Sequence, residues 1–239
     1  MRYTHLIEFK MLIMTVMTTK KSIVLFFILC LPAIVCSQDN DFGIWYGAGA
    51  EKELVKNLDL DLDASVRTYD NASKIEEFFF DIGLNYKFNK YLSAAVTYRF
   101  TEFMEDDDSF HPRHKWFADL KGKLPLGDLD ISARLRFQKR YKTYFEDEND
   151  RESRDVGRIR LKTLYDIPSF PANPYIAAEL FFPMFAETER YVEKNRFMAG
   201  FEYNISKKHS VELEYMFQRD FFPKLRDMNI ISVNYQIKF

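Results

Sequence analysis

From Asn229 to Phe239 every second residue is apolar: Ile231, Val233, Tyr235, Ile237 and Phe239 alternate with Ser232, Asn234, Gln236 and Lys238. Side chains two apart share one face of a strand, so this period commits the segment to a strand between an apolar medium and a polar one. The same period recurs in almost every segment after Gln38, and no stretch carries a convincing helical period. The clearest run sets Leu58, Leu60, Leu62, Ala64 and Val66 against Asp59, Asp61, Asp63, Ser65 and Arg67. A slip of one residue there would carry three carboxylates to the apolar side, which fixes the register.

About eleven such runs can be followed, each about eleven residues long, the length that crosses a bilayer at a tilt. Their connections alternate in length. Val55 to Asn57, Asn89 to Tyr91, Pro125 to Asp128, Ile167 to Asn173 and Ser206 to His209 are turns, whereas Phe103 to Arg113, Tyr141 to Arg154, Pro183 to Lys194 and Asp220 to Asp227 are longer and mostly charged. Apolar-face aromatics gather at both ends of the runs. Tyr86, Phe88, Tyr165, Tyr203 and Phe239 lie on the turn side, and Tyr98, Phe100, Trp116, Phe137, Phe182 and Phe217 on the loop side, as two interfacial girdles require. The expected fold is all-β: an antiparallel up-and-down transmembrane β-barrel of about 10–12 strands, with short turns on one rim and longer charged loops on the other.

Alternation does not say which face points inward, but volume does. A soluble barrel would turn some fifty apolar side chains into its lumen, far more than eight-stranded ligand-binding barrels accommodate. The 24 Phe and 14 Tyr need no such partner if they face lipid. Strand parity is a difficulty, because single-chain bacterial barrels have even numbers of strands and the pattern counts eleven. A weak strand hidden in a loop, two misassigned strands or an N-terminal segment threading the lumen would each restore the rule.

The chain opens with a segment of a different kind. Lys20 and Lys21 precede an apolar run from Ser22 to Val35, and Val35-Cys36-Ser37 offers small residues to a signal peptidase. Residues 1–37 are expected to be a cleaved signal peptide and 38–239 a single barrel domain. Met1 to Thr19 is long for the region before such a run, which leaves Met17 as an alternative start. Both cysteines, Cys30 and Cys36, lie in the leader, so the remainder has no disulfide and no thiol nucleophile. Lipidation at Cys36 is disfavoured by Val35, which stands where lipoprotein signals carry Gly, Ala or Ser. Without the leader the chain carries about five net negative charges, which argues against nucleic acid as a partner.

On the polar face the charges are sorted. Asp59, Asp61, Asp63, Glu77 and Asp81 form an acidic wall. Lys121, Lys123, Arg134, Arg136, Arg158, Arg160 and Lys162 form a basic one, and Glu179, Glu202, Glu212 and Glu214 a second acidic one; Arg99 also faces the lumen. Such a lumen is either a narrow pore with a transverse field or, the favoured reading, a channel plugged by paired side chains, since buried charges persist when paired. The acidic runs Glu105 to Asp108 and Glu146 to Asp150 lack the spacing and glycine hinge of a calcium loop and read as solvated loops, so no metal or other cofactor is expected. A hydrolytic or acyl-transfer site would need a base, and the domain offers His111, His114 and His209. His111 and His114 stand near Ser109 and Asp108, a weak constellation, so no catalytic residue is assigned.

In Asp41-Phe42-Gly43-Ile44-Trp45, Arg67-Thr68-Tyr69-Asp70-Asn71-Ala72-Ser73, Leu84-Asn85-Tyr86-Lys87-Phe88-Asn89-Lys90-Tyr91-Leu92 and Tyr98-Arg99-Phe100 the chain resembles the DUF2490 family, domain of unknown function 2490. Members resemble secreted β-barrels of Bacteroidota-type bacteria, and the likeness spans Gln38 to Phe239. It implies an outer-membrane barrel and supplies no reaction, ligand or catalytic residue. The final strand also resembles that of outer-membrane barrels, whose terminal Phe the assembly machinery recognises; Tyr235, Ile237 and Phe239 are the expected assembly signal.

The expected function is therefore a non-enzymatic outer-membrane barrel, structural or a narrow charged pore, with membrane lipid and the assembly machinery as partners. A lipid-active outer-membrane enzyme and a soluble periplasmic barrel binding an apolar ligand are the two alternatives.

Overall fold

A computed structural model describes residues 40–105, 107–142, 154–185, 192–222 and 224–239. The expected leader, residues 1–37, and the acidic run Glu146 to Asp150 lie outside them.

Eleven strands follow one another: β1 (Asp41–Val55), β2 (Leu58–Tyr69), β3 (Lys74–Lys87), β4 (Leu92–Met104), β5 (Phe110–Leu126), β6 (Leu129–Lys142), β7 (Arg154–Tyr165), β8 (Ala172–Pro183), β9 (Lys194–Asn204), β10 (His209–Asp220) and β11 (Arg226–Lys238). Each pairs antiparallel with the next, and the sheet closes on itself by β1 pairing with β11. That closing pair is parallel, Asp41 standing opposite Met228 and Glu51 opposite Lys238. The parity difficulty is thereby resolved by none of the three expected routes. In an odd up-and-down barrel the first and last strands run the same way, and a parallel ladder joins them with only slightly weaker bonds.

Carried round all eleven registers, a residue of β1 returns about 14 positions along its own strand, a shear that gives a strand tilt of about 40° and a backbone radius of roughly 11 Å.

The faces sort as the alternation demands. Leu62, Phe80, Ile82, Leu84, Val96, Trp116, Leu120, Leu135, Leu161 and Ile176 are exposed on the outer wall, while Asp59, Glu77, Asp119, Glu179 and Glu214 are buried inside. The interior also holds an apolar cluster of Trp45, Tyr175, Ala177, Met198, Met216, Met228 and Ile230, contributed by β1 and β8 to β11.

Where β1 meets β11, three inner positions beside Trp45 are glycines: Gly43, Gly47 and Gly49. A Cβ on Gly47 would lie 2.0 Å from Asn234 Oδ1, and one on Gly49 2.2 Å from Asp63 Oδ1, so side chains of the neighbouring strands lie across β1 itself.

The rims match the alternation of turns and loops with one exception. The β2–β3 connection is on the long-loop rim yet is tight, with Asp70, Asn71 and Ala72 at φ of 52°, 56° and 62° and the Ala72 N–H donating to Phe42 O at 2.9 Å.

Candidate functional site

The strand faces and the shear bring charged side chains from nine strands into the lumen. Asp81 takes both Nε and Nη2 of Arg99 at 2.7 Å, and Asp119 takes both of Arg136 at 2.6 Å. Such bidentate forks are the strongest geometry available to a carboxylate. Glu77 accepts from Arg67 at 2.6 Å and from Lys115 at 3.4 Å. Glu179, with 2% of its side chain exposed, accepts from Arg134 at 2.7 Å and from Arg158 at 2.9 Å, and lies 3.7 Å from Arg196.

The guanidinium groups also lie over aromatic rings. Arg67 lies 3.9 Å from the ring centre of Trp45 and 4.8 Å from Phe79; Arg99 lies 3.4 Å from Phe79 and 5.1 Å from Phe117; Arg136 lies 4.4 Å from Phe117. On the other side Arg158 and Arg196 sit 4.3 and 4.8 Å from Phe181, and Arg196 returns to Trp45 at 5.1 Å. β1 to β9 thus each place one member in a ring that alternates cation and aromatic, broken only between Arg136 and Arg158. Arginine suits this role because its flat, weakly hydrated cation binds a carboxylate at its edge and a ring on its face at once. Met198, Met216 and Ile230 belong with Trp45 to the buried apolar cluster.

Toward the turn rim the pairing is looser. Lys162 meets Glu202 at 2.5 Å and Arg160 is 3.6 Å from Glu214, while the Tyr175 hydroxyl donates to Glu214 at 2.6 Å and also contacts Glu212. Asp63 accepts from Gln236 at 3.0 Å. Asp59 is buried beneath Lys87 at 2.5 Å. Lys123 is the one member of the basic wall that leaves the lumen: it stands on the turn rim, 53% exposed and paired with Asp130 at 2.8 Å, because β5 there runs past the closed part of the wall.

The histidines do not form a site together. His111 Nε2 is 2.8 Å from Asp107, whose carboxyl that contact holds below the usual range, and His114 Nδ1 is 2.6 Å from the Tyr98 hydroxyl. Being three apart on β5, the two imidazoles point to opposite faces of the wall. His209 pairs with Tyr235 on the outside of the turn rim at 2.5 Å. Among the described residues no cluster of three or more potential metal ligands occurs.

The ring aromatics Trp45, Phe79, Phe117 and Phe181, the cations Arg67, Lys115 and Arg196, and Tyr175 were not singled out from the sequence. A signal existed, since Phe79 stands between Glu77 and Asp81 on the polar face, and Phe117 between Lys115 and Asp119. An aromatic residue on a charged face, flanked at both next positions by charge, marks a stacking partner rather than a lipid contact.

Several solved structures align with the chain at low identity. The NanC porin aligns at 14% identity and a TM-score of 0.47, over 74% of this chain and 86% of that one. The β domain of the Bordetella autotransporter BrkA aligns at 10% and 0.42, over 77% and 82%, and Pseudomonas aeruginosa OccK11 (OpdR) at 12% and 0.36, over 73% and 53%. No curated protein matches the chain. The family model described as protein of unknown function (DUF2490) matches residues 42–229, most of β1 through the start of β11, and the chain belongs to that family.

Proposed function

We propose that the chain is a non-enzymatic outer-membrane β-barrel whose lumen is a narrow passage closed toward its loop side by the guanidinium–aromatic ring. The observation that carries this reading is the inversion of its surfaces: Phe80 at 59%, Leu161 at 57% and Ile176 at 57% stand exposed outside, while Asp119 at 6% and Glu179 at 2% are buried inside. The outward apolar stretch of β6 runs from Leu129 to Phe137, and above it come Lys139 and its partner Asp155. About nine residues at about 3.3 Å each, tilted by about 40°, rise roughly 23 Å, close to the ~25 Å apolar band of outer-membrane barrels. Lipid around this band and the assembly machinery at Tyr235, Ile237 and Phe239 are the partners the reading needs. Its non-enzymatic part is supported by the placing of His111 and His114 on opposite faces.

The test is membrane fractionation combined with gel mobility of unheated and boiled samples, followed by recording in planar bilayers. Recovery in the outer membrane with a heat-dependent shift and a small conductance is the expected result. A soluble periplasmic product without a shift would overturn the reading.

A further inference from the structure

We propose that the turn-side half of the lumen binds a small polyvalent oxyanion of the phosphate type, either free phosphate or the phosphate of a small monoester. The site is a cavity of about 200 Å³ lined by Lys121, Ser132, Arg134, Arg160, Lys162 and Glu212. The cavity is smaller than the ~300–1,000 Å³ of pockets for drug-sized ligands, which restricts the occupant to a small solute.

The charge arrangement is what calls for an anion. In register, Lys121 of β5 stands directly opposite Arg134 of β6, and Arg134 directly opposite Arg160 of β7. Three like charges in one cross-strand row, with Cβ atoms about 5 Å apart, repel one another and destabilise the sheet unless negative charge lies among them. In the ring above, the guanidinium groups of Arg67, Arg99, Arg136 and Arg158 each have a carboxylate. In this row the supply fails. Arg134 shares Glu179 with Arg158 and Arg196, and Arg160 reaches Glu214 only at 3.6 Å.

Lys121 makes no ion pair within 4.0 Å among the described residues; its acidic neighbours are Asp119, held by both arms of Arg136, and Asp61. The Nε atoms of both Arg134 and Arg160 are buried without a hydrogen-bond partner. Unpaired buried donors are costly, and two under-compensated guanidinium groups in one row with an unpaired ammonium leave positive charge that an acceptor with several oxygens would meet. Glu212, which also lines the cavity, suits a hydrogen phosphate, which has one O–H to donate, better than a fully deprotonated anion.

The inference rests on the closed barrel, not on passage through it, so calorimetry and conductance fail independently. The experiment titrates the folded, detergent-solubilised full chain with inorganic phosphate and, separately, with acetate, at constant ionic strength in an isothermal calorimeter. The expected result is saturable one-site binding of phosphate, at least about tenfold tighter than acetate. Lys121→Gln and Arg160→Gln should each weaken phosphate binding by about tenfold or more. Lys121→Gln removes no ion pair, so it keeps the heat-dependent mobility shift and, without phosphate, raises the thermal midpoint by relieving the row. Absence of saturable heat with folded wild-type protein, or phosphate affinity unchanged in Lys121→Gln, would overturn the proposal.

Discussion

Glu179→Gln removes the one carboxylate that three guanidinium groups share. Glu179 accepts from Arg134 at 2.7 Å and from Arg158 at 2.9 Å, with Arg196 at 3.7 Å, and only 2% of its side chain is exposed. The amide keeps one acceptor oxygen but loses the charge and gains two donors that face other donors. Each hydrogen bond to a charged group is worth about 1.5–3 kcal/mol, and removing one partner of a buried pair costs about 3–5 kcal/mol because the other charge is stranded. The three contacts share a single carboxylate, so the upper part of that range applies rather than three times it.

The assay is equilibrium urea unfolding into and out of detergent or lipid vesicles, followed by tryptophan fluorescence, since Trp45 lies 5.1 Å from Arg196. A loss of about 3–5 kcal/mol is expected, with part of it recovered in Glu179→Gln/Arg158→Gln, where one stranded cation is gone. A loss below about 1 kcal/mol, the range of exposed pairs, would mean that the lumen is wetted enough to screen the network, and would refute the reading of the ring as a buried plug.

Other perturbations separate packing from membrane placement and assembly. Ile82→Arg, at an outer position that is 51% exposed, should destabilise the barrel in lipid vesicles by about 2–4 kcal/mol if the belt meets the bilayer midplane, and a cost near zero would argue against lipid contact. Gly49→Val would drive Cβ to within 2.3 Å of Gln236 Nε2 and break the Gln236–Asp63 hydrogen bond of 3.0 Å; a loss of about 1–3 kcal/mol is expected in the same urea titration. Phe239→Ser touches a side chain that is 67% exposed and leaves the Phe239 N–H bond to Glu51 O, so the refolded barrel should keep its stability. The amount of heat-shifting protein in cell envelopes should nevertheless fall, and an unchanged amount would remove Phe239 from the assembly signal.

Strand faces were legible in the sequence because a period of two is a local property: Leu58 to Arg67 states its own register and both its surfaces. Pairing inside the lumen was not, because it depends on shear, the sum of every register around the wall. Glu179 meets Arg134 across 45 residues, Lys162 meets Glu202 across 40 and Lys115 meets Glu77 across 38, and no local pattern contains those separations. The three charged walls could be drawn from the alternation, yet the ring of Trp45, Phe79, Phe117 and Phe181 could not, because a period of two puts these aromatics on the polar face without saying which cation of a neighbouring strand each will meet. The count of eleven strands was also legible. Direction of closure was not, since Asp41 and Met228 come together only when the last strand arrives.

The odd strand number and the composition of β1 have one explanation. A parallel closing pair removes the two sheet edges, as any closure does, and a strand with glycine at inner positions 43, 47 and 49, on either side of Trp45, gives much of the interior of the seam to its neighbours. Asn234 and Gln236 from β11 and Asp63 from β2 lie across it, joined by the Gln236–Asp63 hydrogen bond, so the two strands that flank β1 are tied to each other over its backbone. At the loop rim Arg226 of β11 binds Asp41 of β1 at 2.5 Å and reaches past β2 to Glu76 of β3 at 3.0 Å. Side chains therefore span the seam at two heights. The seam depends on these bridges as well as on its parallel ladder, which is why a single methyl at Gly47 or Gly49 acts on the closure and not only on local packing.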